Sequence, residues 1–71
     1  MRDSNLFLLL TPRERQVMFL VSIGFSNKIC ADRLGCSIRT IEAHRASIFR
    51  KLKVRNALEM VDKLYQFQQL L

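Results

Sequence analysis

Apolar residues recur at intervals of three and four along most of this chain, and short polar segments separate the runs. Such spacing is typical of helices with one buried face, and no run alternates apolar and polar residues over the length of a strand. The clearest helix start is Thr-Pro-Arg-Glu at residues 11–14, which offers an N-cap, a proline at the first helical position and a capping-box glutamate. With Gly24 as a C-terminal residue, the pattern predicts a first helix over about 12–23.

A capping residue also stands before each of three later helices. These are Ser26 before 27–34, Ser37 before 38–53, and Asn56 before a helix that runs from 57 towards 68. Only residues 35–37, beginning with glycine, join the second helix to the third. A turn this short is typical of a helix-turn-helix, whose second helix enters the DNA major groove. The sequence predicts an all-α fold, a four-helix bundle-like domain containing a helix-turn-helix.

The third predicted helix holds most of the net positive charge. Residues 37–55 include six basic residues and a single acid, Glu42, against a net charge of +6 for the whole chain. Apolar residues fall at helical spacing through the same run: Ile38, Ile41, Ile48 and Leu52. One face can therefore bury in a core while the other presents cations. Double-stranded DNA, which releases condensed counterions when cations bind it, is the expected partner.

Length and composition exclude several classes of protein. The chain has 71 residues, 49% of them hydrophobic, which is enough for one small globular domain. The longest apolar runs, 6–10 and 17–21, are five residues each, whereas a membrane-spanning helix needs about 20. No signal-peptide pattern precedes them, so we expect a cytoplasmic protein with no membrane partner.

No residue pattern suggests catalysis or a bound cofactor. The chain lacks a paired-carboxylate site, a glycine-rich phosphate loop and a nucleophile–base pair, so we do not expect an enzyme. Cys30 and Cys36 are separated by five residues. Even with His44 this is not a zinc spacing, and a reducing compartment disfavours a disulfide. We interpret both cysteines as small core residues and expect no metal.

Three segments carry a resemblance to a known family. Residues 10–17 read LTPRERQV, residues 24–28 read GFSNK, and residues 40–54 read TIEAHRASIFRKLKV. They are similar to the L-T-x-R-E-x-x-V-L opening, the G-x-S-N-K turn and the T-V-E-x-H-R-x-x-I-x-x-K-L-x-V signature of the LuxR-type (NarL/FixJ, GerE) helix-turn-helix domain of bacterial transcription regulators. The resemblance extends from about Leu10 to Leu64, with cysteine at 30 and 36 where the family usually has isoleucine.

The resemblance implies a DNA-binding output domain that commonly dimerises through its fourth helix. In such regulators it follows a receiver domain or a ligand-binding domain, so the chain is either a fragment of a larger regulator or a stand-alone protein. We divide the chain into a linker stub and lead-in at residues 1–9 and the DNA-binding domain at residues 10–71.

The expected base contacts lie on the outward side of the third helix. Helical periodicity places five residues there: Arg39, Glu42, Ala43, Ala46 and Arg50. The resemblance puts Glu42, Ala43 and Ala46 near the groove floor, where an alanine can touch a thymine methyl and Glu42 can accept from a cytosine amino group. Alternatively, Glu42 orients a neighbouring arginine.

The expected phosphate contacts flank that line. On the third helix they are Thr40, Arg45 and His44, although His44 has the alternative of a structural or solvent-facing role. On the second helix they are Asn27 and Lys28, because the backbone N–H groups at the start of a helix favour an anion. Arg50 and Lys51 complete the set near the end of the third helix, where cations also offset the helix dipole.

The fourth helix has more apolar residues than one core face needs. Its stripe of Leu58, Val61, Leu64 and Tyr65 is assigned to a homodimer interface. Around it lie Met60, Phe67, Leu70 and Leu71, which we expect to be surplus to the core of a monomer. Docking onto a regulatory domain, or wrapping of the C-terminal tail over the core, are alternatives.

Two other functions fit parts of the pattern. A sigma-factor-like, promoter-contacting region shares the Thr-Pro-Arg-Glu opening, and duplex binding without RNA polymerase would separate it from a regulator. A helical protein-interaction module with a basic face needs no particular pattern in the third helix. This hypothesis would be favoured if Arg39→Ala and Arg45→Ala left partner binding intact while changes in the fourth helix abolished it.

Overall fold

The computed structural model describes the backbone of residues 3–69 and the side chains of residues 6–68. A 3-10 helix over Asp3–Leu9 precedes four α-helices: α1 (Pro12–Ser22), α2 (Asn27–Leu34), α3 (Ile38–Leu52) and α4 (Ala57–Gln69). Residues 3–69 contain no strand, which confirms the all-α prediction. Over the same range, no helix combines the length and the apolar character that crossing a bilayer requires.

Side-chain caps begin the helices where the sequence predicts. At α1, the Thr11 hydroxyl accepts from the Glu14 N–H at 3.1 Å, and the Glu14 carboxylate accepts from the Thr11 N–H at 2.9 Å. Each of the later helices has a single capping hydrogen bond. Ser26 Oγ accepts from the Ile29 N–H at 3.2 Å, Ser37 Oγ accepts from the Thr40 N–H at 3.0 Å, and Asn56 Oδ1 accepts from the Glu59 N–H at 2.9 Å. Each bond satisfies a backbone donor that has no partner within its helix.

Three helices are followed by a residue with positive φ: Gly24 after α1 (φ 99°), Gly35 after α2 and Lys53 after α3. Gly35 ends α2 with φ 70°, as its position in the sequence predicts. Lys53 ends α3 with φ 60°, so this helix stops at Leu52, one residue before the predicted end. The Val54 N–H donates to the Phe49 carbonyl at 2.9 Å, and the Lys53 N–H donates to the Arg50 carbonyl at 3.2 Å. This is a Schellman motif, which normally carries glycine at the left-handed position.

The core draws on every helical segment. Its buried apolar side chains are Phe7, Leu10, Val17, Met18, Leu20, Val21, Cys30, Ala31, Ile41, Ile48, Leu52 and Met60. Cys30 is fully buried and Cys36 packs against the core, as expected for small apolar residues, and burial raises the pKa of the Cys30 thiol. No secondary structure was predicted for residues 3–9, yet Phe7 from this segment is buried and its ring lies 4.9 Å from that of Phe67 in α4.

The buried face of α4 corrects the sequence interpretation. Met60 is only 1% exposed, and Phe67 packs partly buried against the core, so the expectation that both are surplus is wrong. The inward residues of α4 are Ala57, Met60, Leu64 and Phe67, which follow helical spacing. Contact with α1, α3 and the Phe7 ring selects this face, and sequence periodicity alone does not distinguish it from the neighbouring stripe. Leu70 and Leu71 lie outside the described residues.

Candidate nucleic-acid interface

The third helix has one buried side and one charged side. Ile41, Ile48 and Leu52 are almost fully buried, so they attach α3 to the core. The residues predicted to face outward are all exposed: Arg39, Glu42, Ala43, Ala46 and Arg50. Ile38 is the one apolar residue of this helix that departs from the expected buried row, because it lies exposed in the first turn. The exposed side therefore combines two guanidinium groups, one carboxylate and two small side chains.

A buried carboxylate holds α3 against α1. Glu14 is 5% exposed, and besides the capping box it accepts from Ser47 Oγ at 2.6 Å and from Lys51 Nζ at 2.8 Å. We call Glu14, Ser47 and Lys51 the α1–α3 clamp. Burial by itself would raise the pKa of Glu14, but the hydrogen bonds from Lys51, Ser47 and the Thr11 N–H, with the Lys51 charge, lower it from 4.5 to about 2. The carboxylate is therefore ionised at neutral pH and fixes the position of α3.

The clamp was not found from the sequence. The sequence indicates a capping role for Glu14, no role for Ser47, and contact with phosphate or with the helix dipole for Lys51. Ser47 and Lys51 lie 33 and 37 residues after Glu14 in the sequence. Helical periodicity relates only residues within a few turns, so it cannot predict these contacts. Because the Lys51 ammonium is bound to Glu14 and its side chain is only 27% exposed, its charge is already partly compensated.

The residues that flank the outward line differ in their surroundings. The guanidinium carbon of Arg45 lies 5.4 Å from the centroid of the Phe49 ring, a cation–π contact that restrains this half-buried side chain. His44 is also half-buried, whereas Thr40 is exposed and its hydroxyl lies 3.0 Å from that of Ser37. Among the residues with described side chains, Glu42 forms no ion pair, so the alternative in which it orients an arginine has no contact to support it.

The start of α2 presents a second polar surface. Ser26 caps this helix, and Lys28 in its first turn is exposed. Asn27 is half-buried, and its Oδ1 atom is buried without a hydrogen-bond partner among the described residues. Helix α2 packs directly on α3, so the start of α2 and the basic helix belong to the same pair of packed helices.

The predicted dimer residues of α4 divide into an exposed group and a packed residue. Leu58 is 79% exposed and Tyr65 59%, and Val61 lies between them on the same side of the helix. Leu64 is half-buried and packs against the core. We call Leu58, Val61 and Tyr65 the α4 stripe. It lies next to the inward row, so the core leaves it uncovered.

Comparisons with known proteins place this sequence among bacterial regulatory proteins. The model of the family described as "Bacterial regulatory proteins, luxR family" matches residues 8–64. Oxygen regulatory protein NreC of Staphylococcus epidermidis is 36% identical over 60 residues, which cover 84% of this chain and 28% of that protein. Tetrathionate response regulatory protein TtrR of Salmonella typhimurium is 36% identical over 54 residues, covering 76% of this chain and 26% of that protein. This chain thus spans about a quarter of the length of these relatives. No solved structure matches it significantly.

Proposed function

Because this chain belongs to the luxR family of bacterial regulatory proteins, which are DNA-binding transcription regulators, we propose that α3 binds in the major groove of double-stranded DNA. The observation that carries the proposal is the two-sided character of α3. Three large apolar residues seat it on the core, and Arg39, Glu42, Ala43, Ala46 and Arg50 stand exposed on the other side. A major groove about 12 Å wide admits one helix, and the two arginines at its ends can meet phosphate or guanine.

The small residues in the middle of α3 define how bases are read. Ala43 and Ala46 allow the helix backbone to approach the base edges closely and can contact thymine methyl groups. Glu42, which has no cationic partner among the described residues, is free to accept from the amino group of cytosine. Arg39 and Arg50 are separated by 11 residues, or about 16 Å of helix, which is nearly five base-pair steps. The helix can therefore contact the edges of only about five base pairs, and contacts to phosphates supply most of the affinity.

The phosphate contacts lie on both helices of the helix-turn-helix. Thr40, His44 and Arg45 flank the outward line of α3, and the Phe49 ring restrains the Arg45 guanidinium. Asn27 and Lys28 stand at the start of α2, where exposed N–H groups and the helix dipole favour an anion. Lys51 contributes least, because Glu14 already balances its charge.

Selection of bound duplexes from a random pool, followed by anisotropy titrations, tests this proposal. Arg39→Gln and Arg50→Gln should each weaken binding to the selected duplex by about 1–3 kcal/mol and relax the preference at the contacted positions. Arg15→Gln is the matched control, because it removes the same charge from α1 and should leave binding unchanged. Equal losses in all three variants would show that binding depends on net charge alone. A requirement for RNA polymerase would favour a sigma-factor-like role.

We also propose that two copies bind DNA together through the α4 stripe. Leu58, Val61 and Tyr65 are large apolar or aromatic residues that the core leaves exposed. A stable dimer buries about 1,200–2,000 Å² in total, which is more than three side chains per copy can supply, so the dimer should form mainly on DNA. Two copies would then read half-sites about one helical turn apart.

The regulatory input is proposed from the relatives. Their names describe regulators of oxygen and tetrathionate responses, and they are much longer than this chain. We propose that the chain acts as the output part of a regulator controlled by a receiver or ligand-binding domain. Fusion of such a domain to residue 1 should change the affinity for the selected duplex when that domain is phosphorylated or liganded. An affinity that never responds would favour a stand-alone regulator.

A further inference from the structure

An open groove lies between α1 and α2, with a volume of about 440 Å³. Its lining residues are Arg15, Gln16, Phe19, Leu20, Arg33 and Leu34. We call it the α1–α2 groove. Among the described residues none of α3 or α4 lines it, so neither the proposed DNA-binding face nor the α4 stripe covers it. A ligand in this groove can therefore bind while the domain is on DNA.

The floor of the groove is apolar, and an aromatic side chain stands exposed beside it. Leu20 and Leu34 form the floor, while Phe19 is 60% exposed. Ile23, four residues beyond Phe19 and immediately after the end of α1, is also exposed and adds to this apolar surface. Contiguous exposed apolar surface of this kind marks interaction sites in small soluble proteins.

The charge around the groove has one sign. Arg15 and Arg33 stand on its two helices, and none of the described side chains that line it is acidic. The guanidinium carbon of Arg33 lies 4.5 Å from the centroid of the Phe25 ring, a contact that restrains the side chain. A groove with apolar lining residues and one guanidinium group on each of its two helices complements a helix that has apolar residues on one face and carboxylates on its borders.

We propose that the α1–α2 groove docks an acidic amphipathic helix of a protein partner, an interaction additional to DNA binding. Leucine, methionine or phenylalanine at positions i, i+3 or i+4 and i+7 of that helix would cover Phe19, Leu20 and Leu34. Aspartate or glutamate on its borders would pair with Arg15 and Arg33. The interaction would give the domain a protein contact while it is bound to DNA.

A synthetic capped helix tests the proposal on this chain. The probe is a peptide of about 18 residues with leucine at i, i+3 and i+7, glutamate on both borders and alanine elsewhere, and its control has lysine in place of each glutamate. The acidic peptide should bind with a dissociation constant of about 100 μM or lower and shift the amide resonances of Phe19, Leu20 and Leu34. The lysine peptide should not bind. Absence of saturable binding up to about 1 mM acidic peptide would overturn the proposal.

Variants distinguish the groove from other acidic-ligand sites. Phe19→Ala, Arg15→Gln and Arg33→Gln should each weaken peptide binding about fivefold or more and leave duplex affinity unchanged. Lys53→Gln and Leu8→Ala, at exposed positions away from the groove, should bind the peptide like the parent. The proposal fails if saturating duplex displaces the peptide, because the peptide would then occupy the α3 face. It also fails if sedimentation without peptide shows a dimer that Phe19→Ala dissociates, because a second copy would then fill the groove.

Discussion

Replacement of Glu14 by glutamine should remove the ionic part of the α1–α3 clamp with little change of volume. In the native domain this buried carboxylate accepts from the Thr11 N–H, Ser47 Oγ and Lys51 Nζ at 2.9, 2.6 and 2.8 Å. A glutamine amide has one acceptor oxygen in place of two, and it carries no charge to pair with the mostly buried Lys51 ammonium. The variant should therefore lose stability chiefly at the contact that orients α3.

The size of the loss follows from the pKa of Glu14. Its value falls from 4.5 to about 2 on folding, a difference of 2.5 units that corresponds to about 3 kcal/mol at neutral pH. Because the folded pKa is the lower one, this stability is complete above about pH 5.5 and is lost as the pH falls towards 2. By about pH 3, roughly 2 kcal/mol of it should be gone. Domains of this size have about 4–11 kcal/mol in total, so the effect is large.

Urea unfolding of both proteins between about pH 3 and pH 7 measures this contribution. At neutral pH, Glu14→Gln should be less stable by about 2–4 kcal/mol, and its stability should fall less steeply with acid than that of the parent. Lys51→Met and the double variant complete a cycle, and the coupling between the two side chains should exceed about 1 kcal/mol. Glu42→Gln is the matched control, because it removes the same charge from an exposed carboxylate that forms no ion pair among the described residues.

Two results would refute this reasoning. The first is a parallel loss of stability with acid in the parent and in Glu14→Gln, since the carboxylate would then have the same pKa in both states. The second is additivity of Glu14→Gln and Lys51→Met, since the two side chains would then not interact.

Further predictions concern helix ends, phosphate contact and dimerisation. Gly35→Ala should lower the free energy of unfolding in urea by about 1–2 kcal/mol, because alanine is strained at a φ of 70°. The added methyl group would touch no other atom, so the loss should come from the backbone alone. Lys53→Gly at φ 60° should instead raise stability by up to about 1 kcal/mol, and the same sign for both would contradict the backbone argument. Lys28→Ala should weaken binding to every duplex and flatten the log–log salt dependence by about one unit; an unchanged slope would remove this residue from the phosphate contacts. Val61→Asp should lower cooperativity on a probe with two half-sites, and parental cooperativity would exclude α4 from the interface.

Local signals made most of the fold predictable from the sequence. The caps at Thr11, Ser26, Ser37 and Asn56 act over three residues, so each helix start could be placed from neighbouring letters. The left-handed Lys53 shows the limit of this approach, because a glycine at the same position would have marked the end of α3.

Long-range packing was less accessible. The α1–α3 clamp and the contact between Phe7 and Phe67 join residues far apart in the chain, and no periodicity encodes such pairs. The same limitation explains the error at Met60. Two adjacent apolar stripes on α4 look equivalent in the sequence, and only the docking of this helix on α1 and α3 selects the one that is buried.

The candidate DNA-binding side chains followed from charge and period, and all five outward residues of α3 are exposed. The partners of those charges were not predictable. Lys51 proved to be bound to Glu14, and Arg45 to lie over Phe49, because both contacts depend on how α3 is seated. The α1–α2 groove was likewise hidden, since it combines residues from two helices.

Amide chemical-shift mapping during titration with a selected duplex tests most directly the claim that α3 reads DNA. The largest shifts should fall on Arg39, Glu42, Ala43, Ala46 and Arg50 and on the first turn of α2, while Phe19 and Leu34 in the α1–α2 groove stay unchanged. Shifts centred on α1 or α4, with the exposed side of α3 unaffected, would contradict the account.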